Sequence, residues 1–138
     1  MLTRSHLLAL LILVLLSNPT QSMNTDVRVS GTWDANFSGL VQGTGTSQTD
    51  TFVMKLEQDG SSVKGSIRFK SLDFSFPVSG TVTATTFTYT AKGNLGPKCE
   101  FTLAGETVVN ETTNRMKGSQ TQTNCEGTAK GEVTAVRR

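Results

Sequence analysis

The sequence predicts an all-β fold, a small antiparallel up-and-down barrel of about eight strands, and three observations carry that prediction. Apolar and polar residues alternate with a period of two along nearly the whole chain after its first 22 residues. Turn signals interrupt the alternation at short intervals. A pattern of apolar residue, any residue, Gly and Ser or Thr recurs five times, starting at Val29, Val63, Val78, Met116 and Cys125, with each glycine on the parity of the apolar residues. Glycine at inward strand positions suits a sheet that coils sharply or whose walls approach closely, as a narrow barrel requires.

The elements follow in order. Trp33, Ala35 and Phe37 alternate with Asp34, Asn36 and Ser38 as a half-buried strand. The stretch from Ser38 to Asp50, rich in Gly, Thr and Ser, reads as a flexible loop. Phe52, Met54 and Leu56 form the inward set of the next strand, Gln58 to Ser61 form a turn, and Val63, Gly65, Ile67 and Phe69 return, a strong hairpin signal. Leu72, Phe74, Phe76 and Val78 continue the inward set, with Pro77 on the outward one, which predicts an edge position or a bulge there. Val82 and Ala84, then Phe87, Tyr89 and Ala91, mark two short strands around Thr85 and Thr86, and Cys99, Phe101 and Leu103 mark another. The last third alternates less clearly, through Val108 or Val109, Met116, and the Gly- and Thr-rich run from Cys125 to Val136. Beyond the first 22 residues nothing reads as a helix. Threonine supplies 20 of the remaining 116 residues, and its β-branched, polar side chain suits the wet face of a sheet.

Residues 1–22 read as a cleavable signal peptide. Arg4 gives a positive start, Leu7 to Leu16 are purely apolar, and a polar stretch with Pro19 follows. Ten apolar residues are too few for a helix that crosses a bilayer, which needs about 20. Residues 23–138 are then expected to form one domain, secreted or periplasmic, with no stable membrane insertion. In an oxidising compartment, Cys99 and Cys125 are expected to bond to each other, worth ~3.5 kcal/mol by loop-closure entropy.

Composition also narrows the chemistry. His6 is the only histidine and falls in the signal peptide, so the exported domain has no Ser/His or Cys/His pair and no His-containing zinc site. Paired carboxylates for glycoside hydrolysis need a cleft, and the acids, Asp73 included, sit in patterns read as facing solvent. Gly43-Thr44-Gly45 lacks the Lys or helix of a phosphate loop. No enzymatic role, catalytic residue, metal or cofactor is therefore expected. Basic and acidic residues nearly balance and are scattered, which speaks against nucleic acid as a partner.

Gly31-Thr32-Trp33 resembles the G-x-W opening of lipocalin and avidin-like barrels. That resemblance implies that Trp33 plugs the closed end of the barrel, with Arg137 or Arg138 packed across it. The longer series of Leu56, Gln58, Gly60, Val63 and Gly65, then Gly80 and Val82, then Cys99, Phe101 and Leu103, Met116 and Gly118, and Cys125 and Gly127 is similar to small secreted Gly/Thr-rich bacterial proteins, which supply no activity to carry over. Nothing in these residues reads as the C-terminal helix of lipocalins, and one Trp is too few for the several that form a biotin site, so neither a wide ligand cup nor biotin binding is expected. Ser30-Gly31-Thr32-Trp33 also resembles the opening of small bacterial inhibitors of secreted metalloproteases, a likeness confined to the first strand.

Two roles fit a barrel of this kind. One is binding of a small hydrophobic ligand in an interior lined by Trp33, Phe37, Phe52, Met54, Phe69, Phe74, Phe87, Tyr89 and Phe101; the same rings are also enough to fill a narrow barrel as core. The other is a rigid platform, expected to be monomeric, that binds a secreted or envelope protein, such as a periplasmic metalloprotease, through the arm Met23 to Arg28 or the stretch Ser38 to Asp50.

Overall fold

The computed structural model describes residues 25–73 and 75–138; the expected signal peptide and Phe74 lie outside them. Eight antiparallel strands close on themselves in chain order: β1 (Gly31–Val41), β2 (Ser47–Asp59), β3 (Ser62–Phe69), β4 (Ser75–Thr83), β5 (Thr86–Gly96), β6 (Cys99–Asn110), β7 (Arg115–Asn124) and β8 (Gly127–Arg137). β8 pairs back onto β1 from Trp33↔Arg137 to Val41↔Ala129, so the sheet has the closed up-and-down form of lipocalin and avidin-like barrels in general. Closure removes the free sheet edges that would otherwise invite pairing with another chain.

Alternation sets the interior. Trp33, Ala35 and Phe37 of β1, Phe52, Met54 and Leu56 of β2, and Val63, Ile67 and Phe69 of β3 are buried, and the other strands continue the ring. The less regular last third forms three full strands whose inward residues include Thr107, Gly118, Gln120 and Gln122. Glycines sit on the inward parity where the wall bends hardest: a Cβ at Gly65 would fall 1.8 Å from the Lys55 carbonyl oxygen, and one at Gly118 1.9 Å from that of Glu106.

Three local readings are corrected. Ser38 to Asp50 is not one long loop, since β1 runs to Val41 and β2 starts at Ser47, leaving only Gln42 to Thr46 as the connection. The Thr and Ser residues there are strand residues whose polarity reflects an outward face or a wet barrel end. Ala84 does not point inward; it occupies the β4–β5 turn at φ 54°. Pro77 lies in neither an edge strand nor a bulge, because it pairs with Ser66 inside a closed sheet. The ladder between β4 and β5 nevertheless stops at Val78↔Ala91, one residue short of Pro77, which has no N–H to extend it.

The two ends of the barrel differ. The end that holds the β2–β3, β4–β5 and β6–β7 turns is sealed by the segment before β1. Val27 and Val29 are buried there, and Trp33 Nε1 donates to the Val29 carbonyl at 2.9 Å. Gln58 holds this segment from both sides, accepting from Val29 N–H at 2.7 Å and donating to the Val27 carbonyl at 3.0 Å. Val27 N–H donates to the Ala84 carbonyl, Ala84 N–H to Asp26 Oδ1, and Arg28 N–H to Glu111 Oε1. Asp26 to Arg28, read from the sequence as part of a free arm, is thus fixed to the barrel end. Arg137 is the basic residue across Trp33, its Cζ 4.8 Å from the indole centroid, while Arg138 forks onto Asp34 through Nε and Nη2.

Candidate functional site

The opposite end is open. Its rim consists of the β1–β2, β3–β4, β5–β6 and β7–β8 connections, and the Cys99–Cys125 disulfide bolts the third of these to the fourth. Cys99 opens β6 and Cys125 sits in the β7–β8 turn, beyond the last β6–β7 pair, Thr102↔Thr123. The bond therefore ties the wall together at the mouth where the hydrogen-bond ladder has run out.

Within this rim lies a cavity of about 380 Å³. One part of its lining is apolar, with Phe69 and Phe101 toward the interior and Leu72, Leu95, Val41 and Ala129 around them. Phe69 and Phe101 meet edge to face at 5.4 Å between centroids, and Phe76 stacks on Phe101 at 5.1 Å. Phe76 fits there because Gly93 has no side chain; a Cβ would fall 2.0 Å from the Phe76 ring.

Another part of the lining is polar and is fed by a chain of hydrogen bonds from the core. Tyr89 Oη donates to Gln120 Oε1 at 2.6 Å, Gln120 Nε2 to Gln122 Oε1 at 2.8 Å, and Gln122 Nε2 to Asp50 Oδ2 at 2.8 Å. Gln48 Nε2 donates to the same Oδ2 at 3.0 Å. The chain can run in one direction only. A carboxylate accepts and does not donate, so Gln122 must turn its amide nitrogen to Asp50 and its oxygen to Gln120. Gln120 is oriented likewise, which leaves Tyr89 as the donor at the buried end. Gln120 and Gln122 are 2 % and 5 % exposed, and this pairing satisfies amides that would otherwise be costly to bury. Burial pushes the Tyr89 phenol well above its ordinary range, so the donor keeps its proton.

Small residues make the chain possible. One inward row runs Tyr89↔Gly105↔Gln120↔Gly131↔Gly39↔Gln48 across β5, β6, β7, β8, β1 and β2. The glycines leave the interior clear for the longer polar side chains to meet. Asp50 and Gln48 share the parity of Phe52 and Met54, so the reading that every acid faces solvent is overturned by Asp50. It was hidden because β2 starts earlier than its apolar residues suggest; Asp73, in contrast, is exposed and pairs with Arg68 at 3.5 Å.

Among the sequence-predicted lining residues, Phe69 and Phe101 border the cavity. Trp33, Phe37, Phe52, Met54, Phe87 and Tyr89 lie deeper, each at most 1 % exposed, in the packed interior, and Phe74 is outside the described residues. Among the described residues no three His, Cys, Asp or Glu side chains are grouped to hold a metal ion, and no helix is long and apolar enough to cross a membrane. No family model, curated protein or solved structure matches the chain.

Proposed function

We propose that this is an exported binding protein, without enzymatic activity, that takes up a small molecule with a substantial apolar part in the mouth of the barrel. The cavity against Phe69 and Phe101 carries this reading, because it offers aromatic surface in a concave site of the volume that small ligands occupy. The interior beneath it is packed, so the ligand enters the rim rather than a deep cup. Export is supported by the Cys99–Cys125 disulfide, which persists in oxidising compartments, and by the sequence of residues 1–22, where an apolar run follows Arg4 in the manner of a signal peptide.

Titration with N-phenyl-1-naphthylamine, an uncharged fluorophore that brightens in apolar sites, tests the reading. Saturable binding of one probe per chain is expected, weakened about tenfold or more by Phe101→Lys and unchanged by Thr102→Lys, whose side chain faces outward. Circular dichroism would establish that both variants keep the barrel. Absence of saturable binding, or equal loss in the two variants, overturns it.

A further inference from the structure

Resting on the mouth as a ligand site, we propose that its ligand carries a protonated amine beside its apolar part, and that Asp50 receives the amine. The cavity lining contains no Lys or Arg and two carboxylates, Glu126, exposed on the β7–β8 turn, and Asp50, which stands at the end of the hydrogen-bond chain. Every donor along that chain points from the core toward the mouth: Tyr89 to Gln120, Gln120 to Gln122, and Gln122 to Asp50. The terminal group is therefore an acceptor. Two amide donors, from Gln122 and Gln48, engage the same oxygen, Oδ2, and fix the carboxylate plane.

Asp50 Oδ1 takes no hydrogen bond from the described residues and is not sealed from solvent. It is the acceptor that the chain holds in place and leaves open to a ligand. An ammonium group meets that oxygen with a charge-assisted hydrogen bond, stronger than one from a neutral hydroxyl. A carboxylate or sulfate headgroup meets like charge, from Asp50 and from Glu126 on the rim. The apolar part of the molecule then lies toward Phe69, Phe101 and Leu95. Recognition is thus amphipathic, with one fixed acceptor beside an aromatic wall.

Calorimetric titration of the whole exported domain with decylammonium and decanoate below their micellar concentrations, and with decanol below its solubility limit, tests this. Decylammonium is expected to bind about tenfold more tightly than decanol, and decanoate more weakly than either. Asp50→Asn should abolish the roughly tenfold preference for decylammonium over decanol. Equal affinities for decylammonium and decanol on the unaltered protein, or an amine preference that survives Asp50→Asn, overturn the amine assignment while the ligand site stands. Failure of all three to bind overturns the site itself.

Discussion

The phenol ring of Tyr89 crosses directly over Gly105 on its way to Gln120. The three are register partners on β5, β6 and β7, and a Cβ at Gly105 would fall 2.2 Å from Tyr89 Cζ and 2.4 Å from its Oη. The missing side chain on the middle strand lets a ring on one neighbour reach an amide on the other. The polar chain to the mouth therefore starts from a glycine as much as from a tyrosine.

Gly105→Ala should be strongly felt for this reason. The methyl group cannot be accommodated unless the ring moves, and overpacking of a tight interior costs about 1–3 kcal/mol. Displacing the ring also breaks the 2.6 Å bond to Gln120 and leaves a buried acceptor unpaired. Urea denaturation would show the loss. A variant as stable as the parent would mean that the barrel relaxes around the methyl group, and the crossing would not be a constraint.

Arg137 offers a second prediction at the sealed end. Its guanidinium lies over Trp33, and its Nη1 donates to the carbonyls of Arg28 and Ser30 at 2.9 and 3.1 Å. It thus ties the end of β8 to the segment that plugs the barrel. Arg137→Ala should cost about 1–2 kcal/mol, from the lost cation–π contact and hydrogen bonds, and Arg137→Lys should fall between, since an ammonium lacks the planar fork. Trp33 is the only tryptophan, so its fluorescence reports the change at the site. An unaltered emission spectrum and denaturation midpoint for Arg137→Ala would show that the plug holds without it.

How much of this was legible in the sequence depends on which residues carry the signal. The period-two alternation of Phe52, Met54 and Leu56 or of Cys99, Phe101 and Leu103 placed strands and their inward faces correctly, because apolar side chains must leave water. The same logic cannot see inward polar residues. Gln120 and Gln122 continue the parity of Met116 and Gly118, and Asp50 and Gln48 that of Phe52, yet polar side chains next to a barrel mouth look like loop. Extending each apolar alternation outward by two pairs would have found them. What no sequence rule supplies is the closure that brings β7 and β2 near enough for Gln122 to meet Asp50 across the glycine-lined β8 and β1.

The disulfide supports a third prediction. Cys99 and Cys125 are 26 residues apart and join two rim connections beyond the last pairing of β6 with β7. Replacing both by Ser should lower stability by ~3.5 kcal/mol if loop closure in the unfolded chain is the whole effect. The barrel has its complete hydrogen-bond ladder without the bond, so the double variant should fold with the same circular dichroism spectrum. Hydrogen exchange should rise first at the β5–β6 and β7–β8 turns, and protection unchanged there would show that the rim is held by other contacts.

The phenol at the start of the polar chain makes stability depend on alkaline pH in a way that can be assigned. Burial holds the Tyr89 proton in the folded protein to a pH above its ordinary range, whereas in the unfolded chain the phenol ionises near pH 10. Above that value the unfolded state binds fewer protons than the native one, so stability falls as pH rises. The contribution is intact below about pH 10 and is lost progressively above it, by up to about 1.4 kcal/mol per pH unit, until the folded phenol itself ionises. Tyr89→Phe removes the titrating group and also the donor to Gln120, which should cost about 1–2 kcal/mol at neutral pH. The stability gap between parent and variant should therefore narrow between about pH 8 and about pH 11, and urea midpoints at the two values would measure it. Tyr89 is the only tyrosine, so phenolate absorbance in the native protein gives an independent reading of the same titration. A gap that stays constant, with phenolate appearing near pH 10 in the folded state, would mean that water reaches the phenol and that the chain from Tyr89 to Asp50 is open along its length.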